Sequence, residues 1–167
     1  RVAASVPYTV QLPGIIGDRA SLNLLCAFVG TPAAGKGAAT KAAALAWPNT
    51  EILTRPIGSG QGIAEAFTKR SEKDALGAVI FDIPEVSALT ALASNRESVL
   101  LPTLKSMAAM GEQLGQTNAS KETSRNVAAH SYRGCLSVAV QPGHAAVLLD
   151  DDDAAVGEVD VVADLTR

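Results

Sequence analysis

Aromatic residues are scarce. One tryptophan, two tyrosines and three phenylalanines serve 167 positions, so a surface of several rings on which successive bases stack is not expected. Charge is sparse as well: 19% of residues are Asp, Glu, Lys or Arg, with a net charge of −3 and a pI near 5.3. That leaves no global basic footprint for nucleic acid, although a local basic channel completed by other subunits remains compatible. Cysteine occurs twice, at Cys26 and Cys135, each inside an apolar, strand-like run. Such a pair supplies neither a disulfide framework nor metal-ligand spacing, and reduced, buried thiols are expected. No apolar run is long enough to span a bilayer and the N-terminus does not read as a signal peptide, so the expectation is a cytoplasmic protein with no membrane contact. The chain opens on Arg1 rather than methionine, which suggests a segment of a longer protein.

What is present is 47% hydrophobic residues in a chain long enough for one domain with a core. The pattern centres on Leu24–Thr40, LLCAFVGTPAAGKGAAT. An apolar run through Val29 has the character of a strand buried on both faces. A loop with the form G-x-x-x-x-G-K follows, from Gly30 through Thr31, Pro32, Ala33, Ala34 and Gly35 to Lys36. Ala38–Ala46 is then a strong helix former, stopped by Trp47-Pro48. Glycines let a loop turn its N–H groups inward around a phosphate. The helix that follows adds its positive end to the same anion, and Lys36 supplies a point charge for the outer phosphates. Serine or threonine usually follows the lysine and gives its hydroxyl to Mg²⁺; here Gly37 stands in that position, so the ion must be held by other groups or by water. A plain Gly/Ala-rich turn between strand and helix is the structural alternative.

Further along, Glu51–Thr54 predicts a short strand. It runs into a second glycine cluster, Gly58-Ser59-Gly60-Gln61-Gly62, followed by an amphipathic helix over Ile63–Arg70. The cluster reads equally as a phosphate-facing loop or a flexible connection. Gly77–Asp82, GAVIFD, has the form of a Walker B strand, four apolar residues ending in an acid that can hold Mg²⁺. Glu85, just beyond, is placed to polarise water. Helices are predicted over Val86–Leu92 and Ser98–Met110, the latter with an apolar stripe from Val99 to Met107. Gly111–Arg133 is polar and predicts a hairpin with a long exposed tip around Asn118–Arg125, where Lys121, Arg125 and Arg133 supply positive charge. His130 is expected to be structural. Cys135–Val140 predicts another buried strand, ending at Gln141, beside the end of the loop-bearing strand. His144–Leu149 is predicted to be helical. Asp150–Asp153 is an acidic run, read as solvated, and Val156–Arg167 as a strand or a tail. Strands and helices alternate, which predicts an α/β fold with a mostly parallel sheet covered by helices on both faces and carrying a polar hairpin. The organisation expected is a lead-in over residues 1–20, a core over 21–150 and an acidic tail over 151–167. Ligands of such sheets bind at the carboxyl ends of the strands, where the loop, Asp82 and Gln141 all fall.

Four ordered strings, SLNLLCAFVGTPAAGKG, PIGSGQGIAEAF, AVIFDIPEVSALTAL and AAHSYRGCLSVAVQPG, together resemble the RecA-like P-loop ATPase domain of primase-helicases carried by actinobacterial plasmids, phages and integrated elements. The resemblance covers about residues 10–150. It implies ATP and Mg²⁺ as ligands, with the triphosphate held by Gly30–Ala38 and above all by Gly30, Gly35, Lys36 and Gly37; glycine after the lysine is usual in that group. It further implies Asp82 as the metal-holding acid, Glu85 close to the metal and water, and Gln141 as the γ-phosphate sensor. Lys36, Asp82, Glu85 and Gln141 thus form the candidate catalytic set. The implied activity is ATP hydrolysis that moves single-stranded DNA through a homo-oligomeric ring, with an arginine from a neighbouring subunit. This chain departs from the family at Gln61, where glutamate is expected, at His144, where arginine is common, and in its acidic tail, where the family continues with further strands. Two other functions fit the residues: a small-molecule or nucleotide kinase with a GKG-type loop, and a nucleotide-binding scaffold without turnover.

Overall fold

Three apolar segments and the more polar Leu53–Pro56 pair side by side as one parallel sheet in the computed structural model, which describes residues 1–14, 17, 19–48, 51–68, 77–94, 98–108, 111–116 and 125–144. In chain order the elements are α1 (Val2–Ser5), β1 (Gln11–Leu12), β2 (Ala20–Ser21), β3 (Leu24–Val29), α2 (Lys36–Ala46), β4 (Leu53–Pro56) and α3 (Gly60–Phe67). After these come β5 (Ala78–Ile83), α4 (Val86–Ala93), α5 (Leu100–Ala108), β6 (Leu114–Gln116), β7 (Arg125–Val127) and β8 (Arg133–Val140). The main sheet has the order β3-β8-β5-β4, all parallel, while β1-β2 and β6-β7 are antiparallel pairs. Pro56 can close β4 because an edge strand tolerates a missing N–H. The predicted tip around Asn118–Arg125 lies outside the described residues but for Arg125, as do Asp150–Asp153, Val156–Arg167 and all of the predicted His144–Leu149 helix except His144. That histidine ends a short 3₁₀ turn, Pro142–His144.

Alternation along the strands sends residues to two faces. On one, Val79, Phe81 and Ile83 of β5 and Leu136, Val138 and Val140 of β8 meet Ile63 and Phe67 of α3, Val86 and Leu89 of α4, and Leu100, Leu104 and Met107 of α5. This is the main core, and the stripe predicted on α5 belongs to it. The β6-β7 hairpin closes it through Leu114 and Val127. Tyr132 lies there fully buried, its hydroxyl donating to the Glu112 carbonyl at 2.8 Å. Burial, with a smaller contribution from the Glu112 charge, pushes its phenol pKa well above the ordinary value of 10. The neutral phenol therefore stabilises the fold fully below about pH 10, and that contribution is lost as pH rises above it. Denaturant midpoints measured from pH 8 to 11 should fall on the alkaline side, and Tyr132→Phe should flatten that fall while costing about 1 kcal/mol near neutrality.

The opposite face is thinly covered. A small cluster of Ala4, Ile52, Ile80 and Cys135 sits there under α1, and α2 lies over the remainder without burying any residue. Its side chains are mostly methyl groups, and its one leucine, Leu45, is 82% exposed. Two expectations are corrected here. Among the described residues β3 lies at the edge of the sheet, its residues mostly half-buried rather than enclosed on both faces, because the helix above it brings chiefly alanines. The second glycine cluster is half helix: Ser59 is the N-cap of α3, its hydroxyl accepting from the Gly62 N–H at 3.1 Å. A Cβ on Gly60 would come within 2.5 Å of Thr103 Oγ1 and 2.6 Å of the Val99 carbonyl, so that glycine serves the close approach of α3 to α5.

The amino end of the sheet carries two further corrections. Arg133 is 0% exposed and donates to the carbonyls of Val6, Pro7 and Val10. Arg125, in β7, pairs with Glu65 of α3. Neither supplies the free positive charge expected of an exposed loop, and Lys121 lies outside the described residues. His130 has the structural role expected. Its Nδ1 bonds Ser21 Oγ at 3.1 Å, its N–H donates to the Gly111 carbonyl at 2.8 Å, and its carbonyl accepts from the Gln11 side chain at 3.2 Å.

Candidate functional site

The loop from Gly30 to Gly35 joins the carboxyl end of β3 to the amino end of α2. Its first N–H, on Gly30, donates to the Val140 carbonyl at 3.0 Å and so continues the pairing of β3 with β8 into the loop. Beyond that point the backbone turns through two left-handed residues, Ala33 (φ 62°) and Gly35 (φ 87°). Gly35 needs no Cβ relief, whereas Ala33 holds a conformation that costs an L-residue roughly 1 kcal/mol. Left-handed residues of this kind recur in loops that turn successive N–H groups toward an anion, and this loop leads into the first turn of an 11-residue helix.

Lys36 curls over this loop. Its ammonium donates to the carbonyls of Gly30 at 2.6 Å and Thr31 at 2.9 Å. Its stem lies against Gly30, where a Cβ would stand 3.9 Å from Lys36 Cδ and 3.2 Å from the Ala34 methyl. A cation held by neutral carbonyls can exchange them for phosphate oxygens, a stronger charge-assisted bond.

Gly37 has an ordinary backbone, and a Cβ there would meet open space. Nothing steric excludes a hydroxyl residue. Gly37→Ser should therefore fold normally and gain up to about 1 kcal/mol of helix stability. It should also tighten Mg²⁺-dependent nucleotide binding, measured by titrating nucleotide with and without Mg²⁺; an unchanged Mg²⁺ dependence would count against a metal beside residue 37.

β8 lies between β3 and β5, so Gln141, the residue after β8, emerges between the loop and the end of β5. There its Nε2 donates to Glu85 Oε1 at 3.2 Å. Glu85 is the N-cap residue of α4 but makes no side-chain cap bond, which leaves its carboxylate to Gln141. No protein-family model and no curated protein matches this chain. What the site can do rests on its own geometry.

Asp82 pairs in register with Pro56 on one side and Ser137 on the other. Its half-buried carboxylate makes no hydrogen bond or ion pair among the described residues. It faces a cavity of about 300 Å³ between α2 and the sheet, walled by Leu24, Cys26, Phe28, Ile80 and Cys135. Both cysteines are free thiols, and burial pushes the Cys135 thiol up from its ordinary pKa. No cluster of three or more His, Cys, Asp or Glu side chains stands ready for a metal among the described residues. Mg²⁺ asks for none: it is commonly held by one or two carboxylates together with substrate phosphates and waters.

Lys36, Glu85 and Gln141 thus lie beyond the carboxyl ends of their strands, with Glu85 and Gln141 in direct contact, while Asp82, near the end of the shorter β5, stands level with Ser137 and Cys26. Gln61 does not join them. It sits at the start of α3 beyond β4, three strand spacings or about 14 Å across the sheet from β3. No helix among the described residues is long and apolar enough to cross a membrane.

Proposed function

We propose that this chain is an ATP-binding and ATP-hydrolysing P-loop module of the RecA-like type, acting on single-stranded DNA as part of a helicase or primase-helicase and working in a homo-oligomeric ring. The observation that carries the reading is the shared edge. A lysine-bearing loop, an acid without a partner among the described residues and a Glu–Gln pair all lie at the carboxyl ends of three adjacent strands, β3, β8 and β5. The residues fit a Mg²⁺-nucleotide. The loop N–H groups and Lys36 would hold the phosphates and Asp82 would hold the ion, directly or through water. Mg²⁺ would supply charge neutralisation on the β- and γ-oxygens. Glu85 is placed to orient and accept a proton from the attacking water, and Gln141 to sense the γ-phosphate while bonded to Glu85. Catalysis in such a site is chiefly positioning and electrostatics.

A specific observation favours nucleotide binding without turnover as the second reading: Gln141 already engages Glu85 Oε1, which leaves the other carboxylate oxygen alone to meet a water. The kinase reading draws less support. Of the arginines available to an acceptor site, Arg125 is paired with Glu65 and Arg133 is buried at the far end of β8, which leaves Arg55, exposed on β4, on the main sheet. The deciding experiment is ATP turnover with Mg²⁺, with and without single-stranded DNA, beside Asp82→Asn. DNA-stimulated turnover that falls by about two orders of magnitude or more in Asp82→Asn supports the motor. Tight binding with no turnover supports the second reading, and absence of ATP binding rejects both.

A further inference from the structure

A second recess lies on the other side of the sheet, between the first turn of α3, the outer face of α5 and β6. Its volume is about 260 Å³. Its wall is mixed: the amides of Gln61, Gln113 and Gln116 and the hydroxyls of Thr103 and Ser106 stand beside apolar Val99, Pro102 and Leu114. No charged side chain lines it among the described residues. We propose that this recess takes one nucleobase of a single-stranded nucleic acid, read by hydrogen bonds to its edge. The proposal rests on the reading of the chain as a DNA-directed motor and adds to it the point at which a base is held.

The chemistry of the lining selects the ligand. Among the described residues nothing in the recess neutralises a phosphate, so its polar groups there serve a neutral partner. Carboxamides and hydroxyls offer donors and acceptors together, as does a base edge, and glutamine pairs with adenine through two such bonds. The volume falls below the range of sites for drug-sized ligands, which admits a single ring system and excludes a whole nucleoside triphosphate. Stacking cannot carry the task, because Phe67, Phe81 and Tyr132 are spent in the core. Position agrees. Gln61 follows the carboxyl end of β4 and Lys36 the carboxyl end of β3, so recess and anion loop open along one edge of one sheet.

Hydrogen bonds already made within the lining leave room for a ligand. Thr103 donates its hydroxyl to the Val99 carbonyl at 2.7 Å and keeps acceptor capacity. Gln113 gives one N–H to Asn126 Oδ1 at 2.7 Å and retains its amide oxygen. Gln61 is exposed on the first turn of α3 and makes no side-chain hydrogen bond among the described residues.

The test uses the full chain and two fluorescent oligonucleotides of equal length, one of natural deoxynucleotides and one with an abasic backbone of the same charge. The natural strand should bind roughly tenfold tighter or more. Gln61→Ala and Ser106→Ala, neither of which removes a packing contact in the core, should erase most of that preference while thermal stability and ATP binding stay as in the parent chain. Equal binding of the two strands, or a preference that survives both variants, overturns the proposal. So does a chain that binds ATP but neither strand. Loss of ATP binding in the parent chain would be the separate failure of the nucleotide-site reading.

Discussion

Replacing Lys36 with alanine is expected to weaken ATP binding by about tenfold to a hundredfold while leaving the melting temperature close to that of the parent chain. The first half follows from what the ammonium exchanges on binding. In the free protein it donates to two neutral carbonyls, on Gly30 and Thr31. Bound to nucleotide it would face anionic oxygens, and hydrogen bonds between charged partners contribute about 1.5–3 kcal/mol each. The second half follows from exposure. Thr31 is exposed, so water replaces the lysine at its carbonyl, and only the part-buried bond to the carbonyl of buried Gly30 is given up. Lys36→Met isolates the charge, since it keeps a stem against Gly30 and removes only the ammonium; it should behave like alanine. AMP affinity should change little in either variant, because the lysine serves the outer phosphates. Calorimetric titrations with ATP, ADP and AMP would show this gradient. An ATP affinity within twofold of the parent chain in both variants would remove Lys36 from the site and with it the nucleotide reading.

The same lysine shows how much of the molecule was legible beforehand. The strand–loop–helix around it, the apolar runs of β5 and β8, and the amphipathic α3 and α5 all follow from period and composition, because burial against a sheet leaves that imprint locally. The parallel pairing and the meeting of the loop, Asp82 and Gln141 at one edge follow from the alternation of strand and helix. Other features are set by distant partners and leave no local mark. Nothing in LLCAFV says that β3 lies at an edge beneath a helix of methyl groups. Gly60 reads as one more loop glycine until Thr103 and Val99 are found against it. Gln113 and Gln116 look like solvated hairpin residues and in fact wall a recess. The contact of Glu85 with Gln141 joins residues 56 positions apart. Each depends on which surfaces meet, which hydropathy does not encode.

Arg133 is the sharpest instance, and it carries the largest expected effect on stability. Its place after a polar stretch suggests a solvated cation, yet it opens β8 fully buried. Its Nε donates to Val6 O at 3.2 Å, and Nη2 to Pro7 O at 3.0 Å and Val10 O at 2.8 Å. Nη1 is buried with no partner among the described residues. Burial lowers the guanidinium pKa from its ordinary value, so the side chain is held at a desolvation cost that its three bonds offset. Arg133→Met removes charge and bonds together while nearly keeping the volume. Relief of desolvation favours the variant; against it stand the carbonyls of Val6 and Val10, each costing about 1–3 kcal/mol if left buried and unpaired, while the Pro7 carbonyl keeps the Val10 N–H at 3.0 Å. The carbonyls win unless residues 6–10 swing into water, which would itself pull on the adjoining α1, whose Ala4 packs with Ile80 and Cys135. The expected result is a loss of about 2–4 kcal/mol in denaturant unfolding, with new protease cleavage in the first dozen residues. Arg133→Lys should recover only part of it, since a point charge cannot reproduce a planar fork spread over three carbonyls. A variant within about 0.5 kcal/mol of the parent, with an N-terminus still protected, would mean that the lead-in is held by something other than this guanidinium.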